Sequence, residues 1–252
     1  MEIPIITQSQ YDRIKNIFPV PRGNHKIDNK IFISCAIWVI KTGASWSQVP
    51  DIYGNPDSMR RKFSRWSKMG ILRKIFESNS ESCGNNNVAM LDSTFSKAAR
   101  TADSLKTDGQ PREIGKSKGG FTTKIHMLAN IEEKPLDFQL TGGQVNDARE
   151  GSKIIEANID RMDTLLADKA YDTNKIREML AENDIEVCIP PKSNRKIQFP
   201  YDKELYKKRH IIENMFGRLK DWGGIAFRRC RCAHIFDSFV CLALTMIFFC
   251  VR

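Results

Sequence analysis

Two common catalytic signatures are missing from the sequence, and histidine is scarce. There is no P-loop of the form GxxxxGK[ST] and no HExxH zinc motif, and the chain contains only 4 His. Nucleotide hydrolysis by a P-loop enzyme and peptide hydrolysis by a zincin both depend on those motifs. Their absence leaves carboxylates as the main candidates for catalytic groups.

A hydrophobic run long enough to span a membrane is also missing. The most membrane-like stretch, Phe239–Cys250, has 12 residues, whereas a spanning helix needs roughly 20. We therefore predict a buried core helix at this position. The start of the chain, MEIPIITQSQYDR, lacks a basic segment followed by a long apolar run. We accordingly expect no signal peptide, a cytoplasmic location and no membrane partner.

Cysteine is present but does not follow a disulfide pattern. The 7 Cys are an odd number and are scattered along the chain, which is typical of reduced thiols in a cytosolic protein. Cys230, Cys232 and His234 form a short C-x-C-x-H cluster. A zinc site would need a second ligand pair at a suitable distance, and none is evident. The cluster is therefore not predicted to bind metal.

The charge balance favours a polyanionic partner. The 252 residues include 40 Lys and Arg against 30 Asp and Glu, which gives a formal charge of +10 and a pI near 9.3. Such a surface attracts nucleic acid or an anionic membrane and disfavours acidic partners. Nucleic acid is the leading candidate, although charge alone does not separate the two.

The first 80 residues have the pattern of helices joined by short loops. Asp28 is placed to cap the apolar run from Ile31 to Ile40, and Gly43 is placed to end it. Asn55 followed by Pro56 is a favourable start for the next helix. That helix carries five basic residues, namely Arg60, Arg61, Lys62, Arg65 and Lys68.

A basic final helix is what a small DNA-reading module requires. Lys and Arg neutralise phosphates, while the apolar side fixes the helix on its scaffold. We therefore predict a small N-terminal helical DNA-binding domain over residues 1–80, with Arg60, Arg61 and Arg65 as candidate DNA contacts. A solvated surface helix remains an equally good interpretation of this segment alone.

A second domain, residues 87–252, is predicted after a polar linker at Glu77–Asn87. Its elements follow the order strand, strand, strand, helix, strand, helix, strand, helix. After the first strand, the basic, glycine-containing stretch Ser96–Gly120 is predicted to be a mobile loop that can lie along a phosphate backbone. Lys116 and Lys118 are its candidate DNA contacts, and a merely solvated loop is an equally good interpretation.

One helical segment near the C-terminal end separates polar from apolar side chains. Wound as a single helix, it places four polar residues on a stripe about 60° wide, and a continuous apolar surface lies on the opposite side. These four residues are Tyr206, Arg209, Glu213 and Lys220. The segment is therefore predicted to hold Glu213 outward from a core. From this segment alone, an Arg209–Glu213 ion pair on an ordinary amphipathic helix is the more common arrangement.

Two apolar strands lead directly into aspartates. Asp92 follows the strand 88–91, and Asp168 follows the strand 164–167. If Glu213 joins them, the three carboxylates repel one another unless cations lie among them. Two Mg²⁺ ions resolve the repulsion and can activate an attacking oxygen on one side of a phosphodiester while stabilising the leaving oxygen on the other. The trio therefore predicts phosphoryl transfer on nucleic acid.

These residues carry a resemblance to a known family. The sequence contains Tyr206-x2-Arg209-x3-Glu213-x6-Lys220 complete, with Asp92 in LDST and Asp168 in LADKAYD. It resembles a DDE transposase of a bacterial insertion sequence, of the branch with this Y-x2-R-x3-E-x6-K signature. The similarity covers nearly the whole chain and includes KTGASWSQVPDIYG and KSKGGFTTKIHML.

The resemblance implies a fold and a reaction. The fold is an α/β, ribonuclease H-like mixed sheet flanked by helices, whose first and fourth strands are parallel neighbours and place Asp92 and Asp168 side by side. With Glu213 these residues would be the catalytic ligands of two Mg²⁺ ions, for which Mn²⁺ can substitute. Water would cut the DNA at the ends of the element, and the freed 3′-hydroxyl would attack target DNA.

It also implies the binding roles and the partners. Arg209 and Lys220 would hold phosphates near the metals, and Tyr206 would contact DNA or brace the site. The implied partner is double-stranded DNA, both the terminal inverted repeats of the element and the target, bound by a homodimer.

Two departures from the family motivate alternatives. Gly223 and Gly224 stand after Trp222 where relatives commonly have basic residues, and Ala99 stands where they often have His. These changes leave the carboxylates intact but weaken the expectation that the chain binds DNA tightly. A catalytically inactive, DNA-binding descendant of a transposase is therefore one alternative, and a host nuclease of the same fold is another.

Overall fold

The computed structural model of the chain describes residues 6–19, 27–83, 86–103 and 112–250. In chain order the elements within these ranges are α1 (Gln8–Ile14), α2 (Asn29–Thr42), α3 (Pro56–Lys68), α4 (Ile71–Glu81), β1 (Asn86–Ala98), α5 (Arg100–Asp103), β2 (Gly115–Ser117), β3 (Gly120–Asn130), β4 (Pro135–Gly142), α6 (Asp147–Ala157), β5 (Met162–Ala167), α7 (Asn174–Glu182), β6 (Glu186–Cys188), α8 (Lys203–Lys207), α9 (His210–Lys220), α10 (Gly223–Ala226), β7 (Phe227–Arg228) and α11 (Ala233–Leu244).

The chain forms two units built from interleaved segments. The described residues of the first unit lie within Met1–Asn79, Ala98–Arg112 and Arg218–Arg252, and those of the second lie within Ser80–Lys97 and Glu113–Gly217. The C-terminal helices thus belong with the N-terminal ones. The predicted functional domains, 1–80 and 87–252, stay predictions.

The helix boundaries of the first unit follow the predicted caps. The Asp28 side chain accepts a hydrogen bond from the N–H of Ile31 at 3.0 Å, and the Asn55 side chain accepts one from the N–H of Ser58 at 2.9 Å. Gly43 ends α2 with φ +69°, a left-handed conformation that glycine adopts without strain. These three boundary predictions are confirmed.

One basic residue of α3 does not face solvent. Lys62 is buried, donates to the carbonyl of Ile27 at 3.2 Å and to Asn29 Oδ1 at 2.7 Å, and lies 4.7 Å from the ring centroid of Phe32. Burial lowers the pKa of Lys62 to about 8. Lys62 therefore fastens α3 to the start of α2, and the exposed basic face consists of the other four residues.

The apolar C-terminal segment is a core helix, as predicted, but it is longer than the 12-residue run. Helix α11 continues into a π-helix, Thr245–Cys250, and the combined 18 residues, Ala233–Cys250, are apolar enough to cross a membrane by length and composition alone. In the structure 72% of this segment is buried inside the protein. Phe239 packs edge-on against Phe63 of α3, with centroids 5.4 Å apart, as expected of a core helix.

Gly223 and Gly224 allow the backbone of α10 to pack closely against the end of α2. An added Cβ would lie 2.8 Å from the carbonyl oxygen of Ile40 if placed on Gly224, and 2.9 Å from that of Thr42 if placed on Gly223. Both neighbours are backbone atoms at the C-terminal end of α2, so they cannot move aside as a flexible side chain would. A basic residue has no room at either position. The departure from the family at these glycines therefore has a structural cause within the first unit.

Replacing Gly224 by Ala is expected to lower the free energy of unfolding by about 1–3 kcal/mol, because the added methyl overpacks a backbone-to-backbone contact. Equilibrium unfolding in urea measures the change. Gly217→Ala is the matched control, since no atom lies within 4 Å of its added Cβ. In the interior of α9 it should raise stability by about 0.5–1 kcal/mol. Equal effects of the two variants would contradict the close-packing explanation.

The second unit is built on a mixed sheet. Strand β1 pairs antiparallel with β3 and parallel with β5, β6 pairs parallel with β5, and the other edge of β3 pairs with β2 and β4. Without the short β2, the order is β4-β3-β1-β5-β6, that is, three antiparallel strands followed by two parallel ones. This is the predicted ribonuclease H-like arrangement, and the predicted sequence of strands and helices is confirmed.

The core of this unit is apolar and continuous. Side chains from β1, β5, α6 and α7 bury one another, including Leu91, Leu165, Ile154 and Ile176. Burial of each such side chain contributes roughly 1.5–3 kcal/mol. The sheet is thereby fixed as a rigid base for residues at the ends of its strands.

Two predictions about irregular segments are wrong. The predicted linker Glu77–Asn87 is partly helical, because α4 continues to Glu81; Arg161 holds this end by donating to the carbonyl of Ser80 at 2.9 Å. The predicted loop Ser96–Gly120 contains the end of β1, the short α5 and β2. Its middle, 104–111, lies outside the described residues.

Candidate active site

Asp92 and Asp168 each directly follow one residue of a register pair between parallel strands. In the β1–β5 ladder Leu91 is opposite Ala167, and each is followed directly by its aspartate. Side chains at matching positions of parallel neighbours point to the same face of a sheet, so the predicted pair is brought together. Asp168 Oδ1 also accepts a hydrogen bond from the N–H of Ala170 at 2.7 Å, which fixes the turn that follows β5.

Glu213 reaches this site from α9, but the single helix predicted over Tyr206–Lys220 is wrong. The helix is interrupted at residues 208–209, where Arg209 N–H bonds to the carbonyl of Tyr206 and Ile211 N–H to that of Lys208. These i to i−3 bonds tighten the chain between α8 and α9. The exposed Glu213 lies in the first turn of α9, whose buried side includes Met215 and Phe216.

Arg209 joins two of the three carboxylates. Its Nη1 lies 3.0 Å from Asp92 Oδ2, and its Nη2 pairs with Glu213 Oε1. The Arg209–Glu213 ion pair considered from the sequence is therefore present. The same guanidinium also binds Asp92, 117 positions away in the chain. Burial alone would lower the pKa of Arg209, but Asp92 and Glu213 outweigh it and raise that pKa.

Asp92 is a largely buried carboxyl group with a raised pKa. Its side chain is 16% exposed, and burial raises its pKa to about 6. The N–H of Ser93 and the guanidinium of Arg209 oppose this rise, whereas Asp168 and Glu213 add to it. Asp168 and Glu213 are therefore close enough to act electrostatically on Asp92. A cation at this position is therefore favoured.

Tyr206 borders the carboxylates. Its ring lies 6.0 Å from the guanidinium carbon of Arg209 and packs edge-on against Tyr201, with centroids 5.6 Å apart. Burial raises the pKa of Tyr206, and the charges of Asp168 and Asp92 add to this rise. Lys220 is exposed in the last turn of α9, seven positions after Glu213.

A buried polar network lies behind Asp92, and sequence reasoning missed it. Ser93, whose N–H donates to Asp92, donates its hydroxyl to Asp147 Oδ1 at 2.7 Å. The buried amine of Lys124 pairs with the same oxygen at 2.9 Å, and His126 Nδ1 lies 3.7 Å from it. Burial lowers the pKa of His126 to about 4, so the ring is neutral at pH 7. The sequence places Asp147 in the first turn of a helix, and no pattern in it indicates that this side chain contacts Ser93 of β1 and Lys124 of β3.

A second buried carboxylate, Asp172, holds the segment 189–200 in place. Its side chain is 0% exposed and pairs with Arg177 Nε at 2.6 Å and Arg195 Nε at 2.7 Å. The N–H of Lys192 donates to it at 2.7 Å. Burial alone would raise the pKa of Asp172, but these hydrogen bonds outweigh burial and hold the pKa below its ordinary value. The aspartate thus links the segment after β5 to the segment after β6.

The predicted DNA contacts on α3 and around the β2–β3 hairpin are exposed. In the first unit, Arg60, Arg61 and Arg65 lie on the solvent side of α3, where they line a shallow cleft with Ser64, Lys68 and Met69. In the second unit, Lys116 lies on β2 and Lys118 in the turn before β3, both exposed.

The β2–β3 hairpin contains the letters of a nucleophile elbow. Gly115, Ser117 and Gly119 satisfy the pattern G-x-S-x-G. A functional elbow places its serine on a sharp turn from a strand to a helix. Here Ser117 ends β2 opposite Gly120 in an antiparallel hairpin, so it is not a serine of that kind.

The donor set at the site suits a hard divalent cation. Three carboxylates supply oxygen ligands of the kind that Mg²⁺ and Mn²⁺ prefer. Among the described residues, no three acidic, His or Cys side chains are close enough together to hold one ion as they stand. The guanidinium of Arg209 lies between Asp92 and Glu213 and pairs with both. A metal ion at this site would take over that role.

The sequence matches two family models. Residues 6–76 match the model described as "Putative transposase of IS4/5 family", and residues 85–199 match the one described as "Transposase DDE domain". A curated relative from Brucella ovis, "Putative transposase for insertion sequence element IS6501", is 32% identical over 130 residues, which are 50% of this chain and 98% of the relative. The second model takes in Asp92 and Asp168 and ends before Glu213.

Two solved structures that the chain matches are distant from it in sequence. The piggyBac transposase synaptic complex with hairpin DNA is 9% identical, with a TM-score of 0.45, over 96% of this chain and 70% of that one. The catalytic core domain of BIV integrase is 14% identical, with a TM-score of 0.38, over 65% of this chain and 84% of that one. Both scores are below 0.5, so the fold assignment rests on the strand order given above.

Proposed function

The chain belongs to the DDE transposases of insertion sequences, and from this premise we propose that Asp92, Asp168 and Glu213 are its catalytic carboxylates. The single observation that carries the proposal is the placement of Asp92 and Asp168 at adjacent positions of parallel strands, with Glu213 linked to Asp92 through one arginine. Three acidic residues from distant segments are held on one side of a rigid sheet. A structural role alone would not require the destabilising repulsion among them.

The reaction is cleavage of DNA at the ends of the element and transfer of the strand into target DNA. The three carboxylates would hold divalent metal, which we assign as two Mg²⁺ ions with Mn²⁺ as a substitute. When bound, the ions supply a charge that activates an oxygen nucleophile and stabilises the leaving oxygen. Neutralisation of the carboxylates by the metals would release Arg209 to contact a phosphate.

The remaining groups of the signature are assigned to DNA. Arg209 presents a planar fork that suits a phosphate, whereas Lys220 presents a point charge. Tyr206 braces Arg209 through its ring. The DNA backbone would be bound by the exposed basic side chains of Arg60, Arg61, Arg65, Lys116 and Lys118. We assign the N-terminal helical domain, residues 1–80, to binding the terminal repeats. We further infer a homodimer on two DNA ends and a cytoplasmic location.

The test is cleavage by purified protein of a duplex that carries the terminal repeats of its own element, read from the DNA that flanks the gene. With Mg²⁺ the wild type is expected to cut at the repeat end. Glu213→Gln is expected to cut at least about a hundredfold more slowly, because loss of one ligand removes several kcal/mol of charge stabilisation in the transition state.

Glu204→Gln is the matched control, because Glu204 is an exposed glutamate of α8 that pairs only with Lys207 at 2.7 Å among the described residues. Its rate should equal that of the wild type. Equal cleavage by wild type and Glu213→Gln would contradict the assignment. Cutting without preference for the repeat sequence would point to the host nuclease, and no metal-dependent cutting at all would point to the inactive descendant.

A further inference from the structure

A cleft of about 300 Å³ opens directly beside Asp168. It is lined by Asp168, Lys169, Ala170, Lys192, Ser193 and Asn194, all from the second unit. Because a water occupies roughly 30 Å³ in the liquid, the cleft admits a group much larger than one water. The cleft therefore lies next to a proposed catalytic carboxylate, and no function has been assigned to it so far.

The charges around this cleft are unbalanced. The segment 189–200 contains Lys192, Arg195 and Lys196 and no acidic residue. Arg195 pairs with the buried carboxylate of Asp172 at 2.7 Å, so its charge is already balanced. In the part of the chain that the structure describes, neither Lys169 nor Lys192 has an ion-pair partner. Two lysines without an ion-pair partner among the described residues therefore line the cleft together with Asp168.

The segment that carries Lys192 is fixed rather than loosely attached. The backbone N–H of Lys192 donates to Asp172 Oδ2. The ring of Phe199 lies 4.5 Å from the guanidinium carbon of Arg177 and 5.4 Å from that of Arg195. Arg177 also donates to the carbonyl of Ile189 at 2.9 Å. Binding an anion between Lys169 and Lys192 thus requires little ordering of the backbone, which reduces the entropic cost of binding.

We propose that this cleft binds a backbone phosphate of DNA, on the strand adjacent to the phosphodiester that reacts. The inference rests on the proposed function, because it takes Asp168 as a catalytic residue and DNA as the substrate. Lysine suits the role, since its compact charge binds a phosphate without a fixed geometry, whereas the two arginine forks already serve a carboxylate. Asp172 is a positioning residue in this scheme.

The test measures DNA binding without cleavage. Wild type, Lys192→Gln and Lys169→Gln are titrated in EDTA with the terminal-repeat duplex at several salt concentrations. Each variant is expected to lower the slope of log affinity against log salt, and the double variant Lys169→Gln/Lys192→Gln is expected to lower it by about 0.9, the value for one phosphate contact on B-DNA. Thermal unfolding of each variant confirms that the protein is folded.

Lys196→Gln is the matched control. Lys196 lies in the same segment and is exposed, but it lines a different cleft with Asn174, Arg177 and Phe199. Its slope should stay at the wild-type value. An equal decrease for Lys196→Gln would overturn the site in favour of a diffuse field, and an unchanged slope for Lys192→Gln would overturn it outright.

Single uncharged methylphosphonates placed around the cleavage position locate the phosphate. Wild type is expected to lose affinity at each phosphate that it contacts, including those assigned to Arg209 and Lys220. Lys192→Gln should show no further loss at only one position, next to the reacting phosphodiester. If the loss of affinity from the methylphosphonate adds to the loss from Lys192→Gln at every position, the proposal is contradicted. Displacement of DNA from wild type by millimolar inorganic phosphate, absent in Lys192→Gln, would identify a small-anion site instead. Because none of these measurements needs cleavage, they can fail or succeed independently of the Glu213→Gln assay.

Discussion

Replacing Asp92 by Asn is expected to abolish metal-dependent DNA cleavage and, in the absence of metal, to stabilise the protein. Cleavage should fall by more than about a thousandfold, or roughly 4 kcal/mol of activation free energy, because Asn cannot supply the anionic oxygen that a hard cation requires. The gain in stability follows from the same charge. Asp92 is desolvated and lies near Asp168 and Glu213, which raises its pKa to about 6.

The sign of the pH dependence follows from that shift. In the unfolded chain an aspartate titrates near pH 3.9, so between about pH 4 and 6 the folded protein holds a proton that the unfolded chain has lost. The stability that this proton contributes is complete below about pH 4 and is lost as the pH rises through 6. A difference of about 2 pKa units corresponds to roughly 3 kcal/mol. Asn removes this penalty but weakens the bond to Arg209 at 3.0 Å, so we expect a net gain of about 1–2 kcal/mol at pH 8.

Urea unfolding of wild type and Asp92→Asn at pH 4 and pH 8 measures this gain. The curves should nearly coincide at pH 4 and separate at pH 8, with the variant more stable. Mg²⁺ should stabilise the wild type at pH 8 and leave the variant unchanged, because only the native wild-type site binds the ion. A variant less stable than wild type at pH 8 in EDTA would contradict a net cost of burying the charged Asp92 carboxylate near Asp168 and Glu213.

The parts that sequence predicted well depend on local rules. Asp28, Gly43 and Asn55 set helix boundaries through bonds to residues at most four positions away, and such signals are complete within a short window. The strand order and the pairing of Asp92 with Asp168 followed from the family resemblance together with apolar strands that end in aspartates. In these cases a nearby residue or a shared fold carried the information.

The parts that were missed depend on contacts between distant segments. The stripe drawn over Tyr206–Lys220 assumed an unbroken helix, and no residue near 208–209 is a glycine or proline that would signal the interruption. Periodicity gave the i,i+4 pair of Arg209 and Glu213 but carries no information on Asp92. The family resemblance predicts a loss of basic residues at the glycines after Trp222, whereas in the structure their neighbours are backbone atoms of α2. Sequence shows which side chain is absent, but it does not show what occupies the space.

Replacing Asp172 by Asn is expected to cost about 3–5 kcal/mol of unfolding free energy at pH 7, because it removes the only carboxylate that the two part-buried arginines, Arg177 and Arg195, share among the described residues. The pKa of Asp172 lies below its ordinary value. Its stabilisation is therefore complete above about pH 4, the pKa in the unfolded chain, and is lost as the pH falls through the lower pKa of the folded protein. The gap between wild type and variant should stay constant from about pH 5 to 8 and narrow in more acidic solution.

Asp163→Asn is the control for this experiment, since Asp163 is exposed on β5 in the same unit, and its effect should stay within about 0.5 kcal/mol. Arg195→Gln tests the arrangement further. It leaves Arg177 as a counter-charge for the buried carboxylate, so its cost should be smaller than that of Asp172→Asn, and the two substitutions should be strongly non-additive. Additive effects, or a loss at Asp172 that does not change with acid, would mean that the three groups do not act as one buried ionic cluster. The segment that carries Lys192 would then need another anchor.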